Sequence, residues 1–125
     1  MYRVGGRMPL HSTGVGLVLL AHAPARLQDE VLAGDLSVEP ESTYLSGRDL
    51  RAHLAAIRRD GVAVVSRLRP EPMTSVACPI VDTRRGLVAA LSVITRPGNV
   101  EPAALKPAVV AVARAISRAV STPGT

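Results

Sequence analysis

Residues Ser75 to Thr95 read SVACPIVDTRRGLVAALSVIT, two runs rich in Val, Ile and Leu on either side of a tight link. The link, Thr83-Arg84-Arg85-Gly86, ends in the glycine that a short hairpin favours, so Ser75–Asp82 and Leu87–Thr95 are expected to pair antiparallel. With Asp82 facing Leu87, Ala77 stands opposite Ser92 and Ser75 opposite Ile94. Side chains alternate across a sheet, so Ser75, Ala77, Ser92 and Ile94 share one face, and Val76, Cys78, Ile80, Leu91 and Val93 share the other. The second face is apolar enough to be the one packed on helices. The first carries two hydroxyls and either lines a small cavity or is simply a solvated serine face.

Upstream of the hairpin, Tyr2-Arg3-Val4 reads as a strand remnant ended by Gly5-Gly6, and Ser12–Ala21 as a short helix capped by Ser12 or Thr13. Gly14 and Gly16 fall in its first turns, where backbone lies close to a neighbour or to a ligand, and the free N–H groups there suit an anion or a carbonyl oxygen. Pro24 opens a second helix carrying Leu27, Val31 and Leu32 and ending at Gly34. After a polar loop, Ser46-Gly47-Arg48-Asp49 is a capping pattern for a third helix with Leu50, Leu54 and Ile57 on its apolar side, closed by Gly61. Val62–Leu68 is a further strand, followed by the stiff loop Arg69-Pro70-Glu71-Pro72-Met73-Thr74. Downstream, Pro102 to Val120 is a long helix with Leu105, Val109, Val112, Ile116 and Val120 as its buried stripe, kinked or delayed by Pro107. Three helices, three strands and a helix predict an α+β fold, an antiparallel sheet flanked by helices.

At 125 residues the chain is expected to form one domain. Its residues are 47% hydrophobic but only 2% aromatic, without Trp or Phe, so the core is aliphatic and base-stacking functions are disfavoured. The longest apolar run, Val15 to Ala21, is too short to span a bilayer, and a lone Cys78 excludes an internal disulfide, which fits a cytoplasmic protein. The net charge of +5 comes from scattered arginines, Lys106 being the only lysine, and reads as a solvated surface rather than a DNA footprint. Arg67, Arg69, Arg84 and Arg85 are the exception, since a strand end and a hairpin tip are expected to meet there. Cys78 with His11 or His53 is a weak catalytic pair, because Cys78 falls on the core face. His11, His22 and His53 match no metal-ligand spacing. No catalytic residue, metal site or cofactor is therefore assigned.

Several ordered motifs together carry a family likeness: Gly5-Gly6-Arg7-Met8-Pro9-Leu10-His11-Ser12-Thr13-Gly14-Val15-Gly16, the helix exit Ile57-Arg58-Arg59-Asp60-Gly61-Val62-Ala63-Val64, Ala77-Cys78-Pro79-Ile80-Val81-Asp82, Ala89-Ala90-Leu91-Ser92-Val93, and Val112-Ala113-Arg114-Ala115-Ile116-Ser117. They resemble the effector-binding domain of IclR-type bacterial transcription regulators over nearly the whole chain. The resemblance implies a GAF-like fold, a cytoplasmic location, a small-molecule pocket and homodimers or homotetramers. It also implies that residues 1–125 are an N-terminally incomplete effector-binding domain, lacking the winged helix-turn-helix and the first part of the sensor, so that this chain does not itself bind DNA.

By that resemblance the effector contacts the backbone of Gly14 and Val15 and the side chains of Ser75 and Ser92, with Met8 and Met73 as apolar walls and Ile94 where the family has a second hydroxyl. Leu17 replaces the usual lysine, Val65-Ser66-Arg67-Leu68 an acidic stretch, and Glu71-Pro72 stands near the usual loop glycine. These departures make the pocket more apolar. The expected ligand is an apolar or aromatic carboxylate rather than a short keto acid, and the rival reading is an association module with a vestigial pocket.

Overall fold

The run GVGLVLLA is apolar round the whole circumference of a helix, and such a helix must be covered on all sides. In the computed structural model, which describes residues 13–34, 47–67, 72–96, 98 and 101–121, this segment is α1 (Gly14–Ala21), lying between a sheet and a third helix. Thr13 caps it, its Oγ1 accepting the Gly16 N–H at 3.1 Å. α2 (Ala25–Leu32) follows from Pro24 and is held to the end of α1 by Gln28, whose Nε2 donates to the carbonyls of Leu20 at 2.9 Å and Ala21 at 3.3 Å. Those carbonyls belong to the last turn of α1, where the regular intrahelical N–H donors run out. α3 (Gly47–Asp60) ends where Gly61 takes φ +73°, a conformation that favours glycine.

Three strands, β1 (Ala63–Arg67), β2 (Met73–Asp82) and β3 (Gly86–Thr95), form an antiparallel sheet in the order β1-β2-β3. α4 (Pro102–Ser121) closes the fold. The α+β class expected from the sequence is thus observed. In the hairpin, Ser75 faces Ile94 and Ala77 faces Ser92, as the alternation required. The closing pair differs: Asp82 faces Gly86, not Leu87, and a register shift between Ile80 and Val81 takes up the extra residue. The turn chemistry explains this. Gly86 sits at φ +81°, and the Asp82 carboxylate accepts the N–H groups of Arg84 at 2.8 Å and Arg85 at 3.3 Å, fixing a shorter loop.

Both faces of the sheet carry helices, whereas only the Val76 face was expected to. α1 covers the Ser75 and Ala77 face and is backed by α3, giving one core of Leu17, Val18, Leu20, Leu50, Leu54, Ile57, Ala63 and Ala77. α4 covers the other face, with Val62, Val76, Cys78, Ile80, Val109 and Ala113. Its buried stripe is also turned from the expected one. Val109 and Ala113 are buried and Leu105 and Ile116 pack beside them, but Val112 and Val120 are exposed, because the small Ala113 lets the helix sit close on β2. Of the expected arginine cluster, Arg69 lies outside the described residues, and Arg67 does not meet the hairpin tip: it pairs with Met73, at the opposite end of β2 from Arg84 and Arg85.

Candidate functional site

The start of α1 rests directly on β2. A Cβ built on Gly14 would come 2.5 Å from the Ser75 hydroxyl oxygen, so only glycine allows this approach. Ser75 is buried, at 7% exposure, and its hydroxyl meets no hydrogen-bond partner among the described residues. Gly14 and Val15 begin the helix, and their N–H groups likewise meet no acceptor among the described residues, while Gly16 is satisfied by Thr13. Free helix-start N–H groups and the positive end of the helix dipole favour an anion.

The residues singled out in the sequence divide as follows. Gly14, Val15, Ser75, Met73, Ser92 and Ile94 all belong to the α1 start or to one face of the sheet. Ser75 and Ile94 are opposite one another, Met73 stands two residues before Ser75, and Ser92 faces Ala77. Met73, Val15 and Ser92 are half-buried and Ile94 is 43% exposed. Gly14 and Ser75 touch, so no group fits between them, and the rest of this face runs on toward Met73 and Ile94. Met8 lies outside the described residues, as do His11 and the segment around Tyr2. Two residues escaped the sequence reading: Val65, opposite Ser75 in β1, and Ala90, opposite Pro79, both packed against the α1 core. The alternation of Ala63–Arg67 was the signal for Val65, readable once its pairing with β2 is known.

A separate cleft of about 280 Å³ lies on the other side of the sheet, lined by Asp60, Gly61, Cys78, Val110, Arg114 and Ser117 among others. Cys78, one of the residues lining it, is 1% exposed, and burial pushes its thiol up while Arg114 and Lys106 pull it down. A buried, protonated thiol is a small hydrophobe and not a nucleophile. Burial also lowers the His53 imidazole. Among the described residues no group of three or more His, Cys, Asp and Glu is placed to hold a metal ion, and no helix is long and apolar enough to cross a membrane.

Residues 1–122 match the family described as the bacterial transcriptional regulator IclR C-terminal domain. The chain is 31% identical over 116 residues to the Pca regulon regulatory protein of Pseudomonas putida, covering 92% of this chain and 40% of that protein. It is 32% identical over 124 residues to the glycerol operon regulatory protein of Streptomyces coelicolor, covering 94% and 46%. It therefore spans less than half the length of these relatives. Among solved structures, it superposes with a TM-score of 0.84 and 30% identity on an IclR homolog of Microbacterium hydrocarbonoxydans complexed with 4-hydroxybenzoate, covering 96% of this chain and 49% of that one.

Proposed function

The chain belongs to the family of bacterial IclR-type transcriptional regulator C-terminal domains, and from that membership we propose that it senses a small aromatic carboxylate where α1 meets the Ser75 face of the sheet. The observation that carries this reading is the buried Ser75 hydroxyl, which meets no partner among the described residues, beside the N–H groups of Gly14 and Val15, which likewise meet none there. Leaving a buried donor unsatisfied costs about 1–3 kcal/mol, a cost that a ligand oxygen removes. The ligand carboxylate accepts from Gly14 and Val15, Ser75 and Ser92 bond its oxygens, and the ring lies against Met73 and Ile94. An aromatic ligand fits this aliphatic setting, and a homolog at 30% identity is complexed with 4-hydroxybenzoate.

The domain works in the cytoplasm as a homodimer or homotetramer. Occupancy alters the DNA affinity of a winged helix-turn-helix outside these 125 residues. It is a binding domain, not an enzyme: its relatives are transcriptional regulators and Cys78 is buried.

Thermal unfolding with 4-hydroxybenzoate and related aromatic acids, repeated on Ser75→Ala and Ser92→Leu, tests the proposal. A ligand at a hundred times its Kd adds about 2.7 kcal/mol, a rise of several degrees in Tm. The expected result is a shift in the native chain that both substitutions reduce. A cooperative transition unmoved by every acid would leave the association module with a vestigial pocket as the better account.

A further inference from the structure

β1 stops pairing at Ala63, opposite Ala77, while β2 runs on through Cys78 to Asp82. The cleft of about 280 Å³ sits in the step this leaves, bounded by β2, by the end of α3 with Gly61, and by α4. Every residue lining it is among those described. Its apolar surface is made by Cys78, Val110 and Ala113, of which Cys78 and Ala113 are buried. Sites for drug-sized molecules run from roughly 300 to 1,000 Å³, so this one takes a ligand of amino-acid size.

Most polar groups around the cleft are already used. The Ser117 hydroxyl accepts the Val81 N–H at 3.0 Å and donates its one proton to the Ala113 carbonyl at 2.8 Å. Ser121 Oγ donates to the Val81 carbonyl at 3.3 Å and accepts the Thr83 N–H at 3.0 Å. The Gly61 N–H is spent on the Ile57 carbonyl at 2.8 Å. The Pro79 carbonyl is left over. Val81 turns its N–H and C=O to the serines of α4, and the extra residue of the register shift, Val88, belongs to β3, so alternation along β2 turns the Pro79 carbonyl to the same edge. No donor among the described residues meets it there.

Two opposite charges complete the lining. Arg114, on α4, makes no ion pair among the described residues, and its charge is felt at the Cys78 thiol, as is that of Lys106. Asp60, at the end of α3, pairs with Arg59 at 3.3 Å, but those side chains are 51% and 74% exposed and the pair is correspondingly weak. Arg114 and Asp60 thus line one cleft without neutralising each other.

We infer that this cleft is a second ligand site, separate from the Ser75 face, and that it takes a free α-amino acid with a small aliphatic side chain. The carboxylate meets the Arg114 guanidinium, the ammonium is held by the Asp60 carboxylate and the Pro79 carbonyl, and the side chain lies on Cys78, Val110 and Ala113. A simple anion would set like charge against Asp60 and leave the Pro79 carbonyl without a donor. A simple cation would set like charge against Arg114. A zwitterion answers both.

Titration of the full chain with L-valine to about 10 mM, followed by amide NMR shifts, tests this. Two analogues run beside it: 3-methylbutanoate, which is valine without its ammonium, and 2-methylpropylamine, which is valine without its carboxylate. The expected result is saturable shifts at Gly61, Val81 and Ser117 with Gly14 and Ser75 unmoved. Binding should be at least about tenfold weaker for each analogue, and for valine in Arg114→Gln and Asp60→Asn, because each removes one charge-assisted contact. Should a variant fail to fold, the analogues on the unaltered chain decide the matter. Shifts that do not saturate, equal binding of either analogue, shifts centred on Gly14 and Ser75, or an affinity unchanged in both variants overturns the inference. 4-Hydroxybenzoate titrated in the same way and followed at Gly14 and Ser75 reports on the Ser75 face separately.

Discussion

Gly14 and Ser75 are in contact: the Ser75 hydroxyl oxygen lies 2.5 Å, and the Ala77 Cβ 3.3 Å, from where a Cβ on residue 14 would be. The start of α1 is therefore seated on β2 with no side chain between them. Gly14→Ala gains at most about 1 kcal/mol of helix propensity, while forcing a buried helix off its seat costs about 1–3 kcal/mol. Net destabilisation is expected in urea unfolding. Adding Ser75→Gly, which removes the nearest atoms, should recover more than half of it. A Gly14→Ala chain as stable as wild type would mean that the helix start is not held by this contact.

Ser75→Ala separates binding from folding. Removing a buried hydroxyl that meets no partner among the described residues leaves the unliganded chain as stable as before or slightly more so, since the Ala side chain has nothing to desolvate. Affinity for an aromatic carboxylate falls by about 1–2 kcal/mol, roughly five- to thirtyfold, read by calorimetric titration. A loss of stability without loss of affinity would make Ser75 a packing residue only.

Much of this was legible in the sequence, and the failures have physical causes. Strict alternation fixed which residues share a face with Ser75 and Ser92. The closing pair escaped because it depends on how Asp82 caps Arg84 and Arg85, a local competition that hydrophobic pattern does not register. The stripe of α4 was misjudged because the helix is apolar on more than one side. Periodicity selected the large Val112 and Val120, while the sheet selected the small Ala113. Gly14 and Ser75 were each legible as candidates, but their contact was not. It follows from α1 being apolar all round and hence buried between β2 and α3.

Asp82 makes stability depend on acid. Its side chain is buried at the hairpin, and its carboxyl is held below the ordinary value by the Arg84 N–H first, then by the Arg85 N–H and guanidinium, against the opposing effect of desolvation. A depressed folded pKa stabilises fully above the unfolded value near 3.8 and ceases to do so as pH falls through the folded value. Tm curves of wild type and Asp82→Asn between pH 6 and pH 2 should thus converge at the acid end and separate above about pH 4. Arg85→Ala should matter much less, because that guanidinium is 77% exposed and the backbone donors remain. Parallel curves would place the acid sensitivity elsewhere.

The Ser117 hydroxyl accepts the Val81 N–H at 3.0 Å and donates to the Ala113 carbonyl at 2.8 Å, joining α4 to the end of β2. Ser117→Ala should cost about 0.5–1.5 kcal/mol and speed amide hydrogen exchange at Val81 while leaving Val76 protected, since Val76 lies in the centre of the sheet. Exchange rising equally at both amides would show global rather than local loosening.

Cys78 reports on whether the α4 face is closed. The thiol is 1% exposed among Val76, Ile80, Val109 and Ala113, and burial pushes it up despite Arg114 and Lys106. Alkylation needs both an open path and a thiolate, so each factor slows it in the folded chain. At pH 8, iodoacetamide should react at least about a hundredfold more slowly with the native chain than with the urea-unfolded one, and the native rate should follow local opening of α4 from β2. Replacing Ser117 and Ser121 by alanine removes two tethers of that helix and should raise the rate without changing it in urea. A native rate equal to the unfolded one would mean an accessible, activated thiol, and the catalytic reading of Cys78 would have to be reopened.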